Sequence, residues 1–580
     1  MSIIKTETDT ALDETLTVQN SGAMPAVADI NEQPISEKAL EAGAGAEAPS
    51  NGVTSNGPGA GDEAENADLA SYTLSKRQQI GSLVSMCMLT FIASLDATIM
   101  ASIYVPIASD FGALGQAVWI LTTYMLSSTI VQAIIGKISD ILGRVETTQA
   151  SIIMFILGSI LCGASQSMNM LIASRTIQGV GGGGILGLTV VLLGDIFSER
   201  ERGKYMGALS SVFGLAVVIG PVMGGGIVEH ASWRIVFWIN IPICVIAMAL
   251  IFFTLKLPKT KGTLREKVQR VDFIGCALFT IGMVPILLGL SWGGQQYEWT
   301  SAQVLACLIC GFVVLLVFGY VEYHYAVEPI VPVRLFRSLN VLAALVAALT
   351  LGANLFGTSN IIPIWELAIK HASTMSGGLH LLPIALGIVF ASPLCGIYMA
   401  RSGRFLLPIR FGAILTVTGL SLLLRYKVGT GFGERIGYLF LSGLGFGFIS
   451  QPAMVVCQAS VAGKHMASVT TSFSFLRTLG GILATSIMNS ILNSRIKTGI
   501  TGLVNEFPSH ASDIASTLAD QRNIYSDIIP QDIQSRIIHL WADSMHSAFY
   551  VFVAIGGIAF VSCFAIRHVE LGKERKKTIE

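Results

Sequence analysis

The sequence predicts an all-α membrane protein, with two six-helix bundles plus two inserted helices making fourteen transmembrane helices. Three observations support this. Of 580 residues, 52% are hydrophobic and only 13% are charged, too little polar surface to wrap several soluble domains. From Ile80 onward, apolar runs of about 20 residues alternate with short polar breaks, the length a helix needs to cross the hydrocarbon core. A nine-residue frame also occurs twice: Gly136 to Arg144 reads GKISDILGR and Gly396 to Arg404 reads GIYMARSGR, each with Gly first, Gly eighth and Arg ninth. Glycines there let two helix ends turn and approach closely, and the Arg anchors a charge at the membrane face.

Residues 1–75 are rich in Gly, Ala, Ser and acids, have no aromatic before Tyr72, and read as a disordered cytoplasmic N-terminal tail. The predicted spans are 80–104, 117–136, 146–166, 170–194, 204–228, 233–255, 272–291, 302–322, 340–362, 377–399, 405–425, 434–458, 466–492 and 546–567. Lys and Arg cluster in the breaks after spans 2, 4 and 6, as Lys137 and Arg144, then Arg200, Arg202 and Lys204, then Lys256 to Arg270. The positive-inside rule therefore places both termini in the cytoplasm.

Placing the duplicated turn after spans 2 and 10 gives a first bundle over 80–255, a basic linker with two inserted helices over 256–339, and a second bundle over 340–567. A long extracytoplasmic loop is expected over 493–545, either as interfacial helices or as a plain surface loop, and a cytoplasmic tail over 568–580. The nine cysteines all lie in apolar runs, so no disulfide is expected. The Cys307/Cys310 pair lacks further ligands and reads as packing, not a metal site. With formal net charge zero, nothing suggests a nucleic-acid partner.

Charged residues inside apolar spans are costly and mark function. Asp96, beside Ser94 and Thr98 in the first span, is the candidate proton carrier, with interfacial capping as the plainer reading. Arg175 in the fourth span needs buried acceptors, and Gln178 lies on its helix face. Gly220, Pro221, Gly224 and Gly225 in the fifth span suggest a bend and a close helix contact. Asp140, four residues before Arg144, is read as a bridge to a helix of the other half that locks one conformation, or as a solvated pair. Arg477 is the charge expected in a central cavity. Glu366, four residues before Lys370, reads as an ordinary helix pair. Tyr124, Gln132, Gln178, Asn354, Asn360 and Gln451 line a substrate path or join helices, with equal support for either. No GxxxxGK[ST], HExxH or GxSxG motif is present, so neither ATP nor intramembrane hydrolysis is indicated, no cofactor is expected, and an ion gradient is the energy source that remains.

GKISDILGR, RTIQGVGGGG from Arg175, the GPVMGGG stretch from Gly220 and the following WRIVFWINIPI resemble signature motifs of the major facilitator superfamily, in its fourteen-helix drug:H+ antiporter branch. The resemblance covers about residues 80–567. It implies the major facilitator fold and alternating access by rocking of two halves, with proton influx driving export. Asp96 and Arg175 then take the proton-coupling positions; Gly136, Asp140, Gly143, Arg144, Gly220, Pro221, Gly224 and Gly225 take the conformational ones. Val145 and Glu146 depart from the basic residues usual after the turn, and Ala216 replaces a usual glycine. The expected protein is a monomeric, non-enzymatic exporter of amphipathic small molecules, with protons and the lipid bilayer as its other partners. It is placed in the plasma membrane, with the vacuolar membrane as alternative. Transport of basic amino acids or siderophores into the vacuole, and nutrient sensing without transport, stay open.

Overall fold

The computed structural model describes residues 75–569, apart from 114–115, 258–262, 295, 326–335, 373, 520 and 527. The expected N-terminal tail, most of the C-terminal tail, and Lys259 and Lys261 of the basic linker lie outside the described residues. Fourteen helices among those described are long and apolar enough to cross a membrane. They are α1 (Lys76–Asp110), α2 (Trp119–Leu142), α3 (Arg144–Gly163), α4 (Met168–Ile196), α5 (Glu199–His230), α6 (Arg234–Thr254), α7 (Phe273–Trp292), α8 (Ala302–His324), α9 (Leu339–Lys370), α10 (Leu382–Ser402), α11 (Leu406–Leu422), α12 (Phe432–Ala459), α13 (Met466–Glu506) and α14 (Gln531–Ala565). Polar side chains just outside the apolar runs fix several starts. Ser75 and Gln78 form a reciprocal capping box on α1, while Ser167 accepts from the Met170 N–H on α4 and Asp272 from the Gly275 N–H on α7.

The two halves repeat one packing pattern. Helix α1 packs on α5, α6 and α4, α2 on α4, and α3 on α4 and α6; in the same slots α9 packs on α13, α14 and α12, α10 on α12, and α11 on α12 and α14. Contacts between halves also come in a matched pair, α5 with α10 and α2 with α13. The inserted α7 and α8 pack on each other, and α7 bridges to α2 and α13. Phe279 on α7 meets Phe475 on α13 edge to face, with ring centroids 5.7 Å apart. The outer face of α8, with Ile309, Phe312, Leu316 and Tyr320, stays exposed at helical spacing, as a lipid-facing surface should.

Segment 493–545 differs from a long loop. Helix α13 continues to Glu506, a short helix spans Ala511–Ala519, and α14 already starts at Gln531. Ile496, Ile500, Ile514, Ile524, Ile533 and Ile537 are buried together, and they extend the apolar core of the second bundle, which includes Trp365 and Phe549. The polar residues that broke the hydropathy pattern occupy the outer faces of these helices, with Arg536 bridging Glu506 at 2.6 Å.

Candidate functional site

The repeated turns share one local geometry. Their eighth-position glycines adopt backbone angles that other residues avoid, φ +116° at Gly143 and φ +68° at Gly403. Their first-position glycines are contact points. A Cβ at Gly136 would lie 2.9 Å from the Ala467 carbonyl on α13, and one at Gly396 would fall onto the Gly203 carbonyl on α5. Each turn therefore seats against the start of a helix from the opposite half. Arg144 donates to Asp195 at 2.8 Å, and five residues on Arg200 donates to the Arg401 carbonyl at 3.4 Å, so both turns lie at one end of the bundle.

Asp140 does not reach across to the other half. It pairs with Arg144 at 2.5 Å, and Arg144 also bonds Ser139 at 2.6 Å and Asp195. This cluster ties α2, α3 and α4 within one half, and Asp195 was missed from the sequence because it lies 51 residues from Arg144. Arg144→Gln would leave Asp140 and Asp195 as unbalanced, partly buried carboxylates. It should lower thermal stability by about 1–3 kcal/mol, whereas Val145→Ala should not, as detergent-solubilised melting curves would show.

The second constellation is fully enclosed. Asp96 on α1 and Arg175 on α4 are both 0% exposed and bonded at 2.6 Å. Gln178 and Asn240 each donate to the other carboxylate oxygen at 2.9 Å, and Ser159 accepts from Gln178 at 3.0 Å. Arg175 also donates to the Ile120 carbonyl at 3.2 Å and to Gln178 at 2.7 Å, and lies 4.3 Å from the Tyr124 ring centre. Desolvation of the two charges is thus offset by a nearly complete set of hydrogen bonds, with Arg175 Nη2 the one buried guanidinium nitrogen left over. Tyr124 and Gln178, expected along a substrate path, stand in the shell of this pair. Asn240 belongs to the same shell and was overlooked; it is the Asn of WRIVFWINIPI, a polar residue one turn beyond Phe237, whose ring also lies by Arg175.

The glycine-rich stretch beyond Arg175 lets α4 sit close to two neighbours, with Gly181 against the Phe155 backbone of α3 and Gly183 against the Ser128 backbone of α2. On α5, Gly220 and Gly224 press against Thr98 and Ser102 of α1, and the Thr98 hydroxyl donates to the Ala216 carbonyl at 3.1 Å. Pro221 turns the other way, toward Gly378, while Gly225 meets open space. The α5–α10 seam is therefore closed from Gly203 to Gly214, about 16 Å of helix, and the short helix Thr374–Leu379 meets α5 beyond it at Pro221. Gln451 donates to Ser210 across the halves, and Gln132 accepts from Thr478 at 3.4 Å, also across them. Asn354 accepts from Ser442 at 3.0 Å inside the second half, and the buried Asn360 amide oxygen has no partner among the described residues. Arg477 makes no hydrogen bond or ion pair among the described residues; its guanidinium lies 5.8 Å from the ring centre of Phe213 on α5 of the opposite half.

Glu366 corrects the expectation of a simple helix pair with Lys370. It is 1% exposed and holds Arg435 of α12 through both carboxylate oxygens, while Lys370 donates to the Val428 carbonyl at 2.6 Å. The pair occupies the slots that Asp96 and Arg175 hold in the first half, a carboxylate on the first helix and an arginine on the fourth.

Residues 86–485 match the profile of the Major Facilitator Superfamily. The chain belongs to that superfamily. Fungal relatives match it over most of their own length. It is 33% identical to the acurin A biosynthesis cluster MFS-type transporter of Aspergillus aculeatus, over 84% of this chain and 88% of the relative. It is 30% identical to the MFS-type transporter ppz2 of Metarhizium majus, over 86% of each, and 29% identical to the efflux pump dotC of Dothistroma septosporum, over 84% of each. Among solved structures, the human organic anion transporter MFSD10 (TETRAN) superposes with TM-score 0.55 at 13% identity, covering 85% of this chain and all of that one, a likeness of fold. The repeated packing pattern, the matched turns and the two carboxylate–arginine pairs are thus features of a major facilitator protein integral to a membrane, spanning it many times.

Proposed function

We propose that this protein is a proton-coupled antiporter exporting amphipathic organic compounds, such as secondary metabolites, by alternating access at the plasma membrane. The observation that carries the reading is Asp96, a carboxylate 0% exposed whose charge is held, among the described residues, by Arg175, Gln178 and Asn240. A proton arriving there cancels the attraction to Arg175, which retains Gln178 Oε1 and the Ile120 carbonyl as acceptors. Two residues along, Thr98 and then Gly220 connect α1 to α5, the helix that forms half of the α5–α10 seam. A change of charge at Asp96 is therefore applied to the element that must part when the halves rock. The names of the fungal relatives, a biosynthesis-cluster transporter and an efflux pump, support the outward direction.

Arg477 supports a preference within that substrate class. A cation at the contact between halves with no counter-ion among the described residues complements a substrate carrying an acidic group. Arg477→Gln should reduce transport of carboxylate-bearing compounds about tenfold relative to their neutral esters, the worth of one charge-assisted hydrogen bond. Equal loss for both would remove Arg477 from substrate recognition. The reading as a whole is tested in proteoliposomes with an imposed pH gradient and a panel of labelled amphipathic compounds. Gradient-driven accumulation that collapses with a protonophore is expected; ligand binding with no flux would instead point to a sensor.

A further inference from the structure

At the end opposite the basic turns, a short helix, Thr374–Leu379, joins α9 to α10 and forms a strap over the α5–α10 seam. Its Gly378 rests on Pro221 of α5, where an added Cβ would lie 3.0 Å from the proline ring. At the strap's end stands His380, a ring 15% exposed. Its Nδ1 is 2.7 Å from the Ser376 carbonyl, and its Nε2 is 3.5 Å from Oε2 of the buried Glu366. Both ring nitrogens thus face oxygens that only accept. A neutral imidazole carries one N–H, so whichever nitrogen bears it, the other turns a lone pair toward an oxygen. Only the imidazolium satisfies both contacts.

We propose that His380, set between the Ser376 carbonyl and the Glu366–Arg435 pair, is a second proton-binding site, and that its proton fastens the 374–381 strap across the seam. The proton comes from water on the strap's side and forms one N–H bond; nothing else is made or broken. The uptake places a donor on Glu366 Oε2, whose other bonds go to Arg435. Its loss leaves Nε2 or Nδ1 facing an oxygen without a hydrogen, and the strap is freed to leave Pro221. Histidine ordinarily changes charge between about pH 5 and 8, the range in which such a latch is useful.

The other groups around this cluster are accounted for. On α9, Lys370 is engaged with the Val428 carbonyl, and His371, just beyond its end, is stacked on Tyr525 at 4.0 Å. Helix α12 presents Arg435, Tyr438 and the exposed Glu434, with the Phe432 ring edge-on to His380 at 5.7 Å. Tyr426 reaches the Arg435 carbonyl, and His546 of α14 is bonded to the Tyr426 carbonyl and packs on Trp365. Helix α5 contributes Pro221 at the strap. Glu366 is the carboxylate that this arrangement turns toward His380.

The transport consequence of this latch rests on the export reading, but its existence does not, so the test uses the purified full-length protein without substrate. On acidification, Glu366→Gln, which removes the negative acceptor facing Nε2, should show weaker protection of the strap than the wild type. Hydrogen exchange of peptide 371–381, corrected for the intrinsic effect of pH, should slow several-fold on acidification in the wild type and show no such change in His380→Gln. That variant alters a single partly exposed ring and should fold, so the exchange comparison stands even if Glu366→Gln does not accumulate. Equal exchange behaviour in wild type and His380→Gln, or an exchange response indifferent to Glu366→Gln, would overturn the proposal. Absence of pH-driven flux with these results intact would overturn only the export reading.

Discussion

Asp96→Asn is expected to abolish pH-driven export while the protein still reaches the membrane, and Asp96→Asn combined with Arg175→Gln is expected to restore its stability but not its transport. The reason lies in the enclosure of the pair. Removing the charge of Asp96 leaves Arg175 as a buried cation with no counter-ion, a cost of about 3–5 kcal/mol for a broken pair in a protein interior. Replacing the arginine too removes that penalty, because Gln178, Asn240 and Ser159 can still bond two neutral amides. Melting temperature and flux, measured on both variants in the same membranes, separate the two roles. Transport by the double variant at wild-type rates would take Asp96 out of proton coupling; a double variant no more stable than Asp96→Asn would show that the pair is not what holds α1 to α4.

Gly396→Leu is the other large effect expected. The α5–α10 seam brings the Gly396 position onto the Gly203 carbonyl, and backbone cannot yield as a flexible side chain does. A leucine there is incompatible with the seam as observed and should penalise this arrangement by about 1–3 kcal/mol, shifting the balance roughly 5–150-fold toward a state parted at the basic turns. Met399, 0% exposed beside Gly203, is a suitable reporter. In the Gly396→Leu background, Met399→Cys should be alkylated at least about tenfold faster than in the wild-type background, and export should fall in step. Unchanged alkylation would mean that the seam tolerates the added bulk, so that α5 and α10 are not the elements that separate.

Much of the fold was legible because the bilayer imposes a coarse rule. A helix must be apolar for about 20 residues, and fourteen such runs stand out in the sequence as fourteen membrane-length helices do in the structure. The duplicated frame was legible for a sharper reason: Gly143 and Gly403 adopt positive φ, and Gly136 and Gly396 sit against backbone, so substitution at either place carries a steric cost. Where one bundle of spans ends is also where hydropathy fails. Isoleucines at 514, 524 and 533 are too widely spaced among polar residues to register as a span, yet they pack into one core.

The site was readable one residue at a time and unreadable as pairs. Asp96 and Arg175 declared themselves by being charged in apolar runs, but their separation of 79 positions hides the bond between them. Glu366 was read with its sequence neighbour Lys370, whereas its partner Arg435 is 69 positions away on a helix that only the tertiary structure brings alongside. The repeat itself held the missing signal, since an acid on the first helix and an arginine on the fourth in one half invite a search for the same in the other.

Helix α13 runs unbroken for 41 residues, about 60 Å, twice the thickness of the hydrocarbon layer, and ends in the isoleucine-rich cap. If the halves rock as proposed, it would act as a pointer, and an angular swing of the second half would be magnified into translation at the tip. A spectroscopic label at the exposed Arg495, paired with one at Ser109 near the end of α1, would therefore register the working stroke without a probe in the interior.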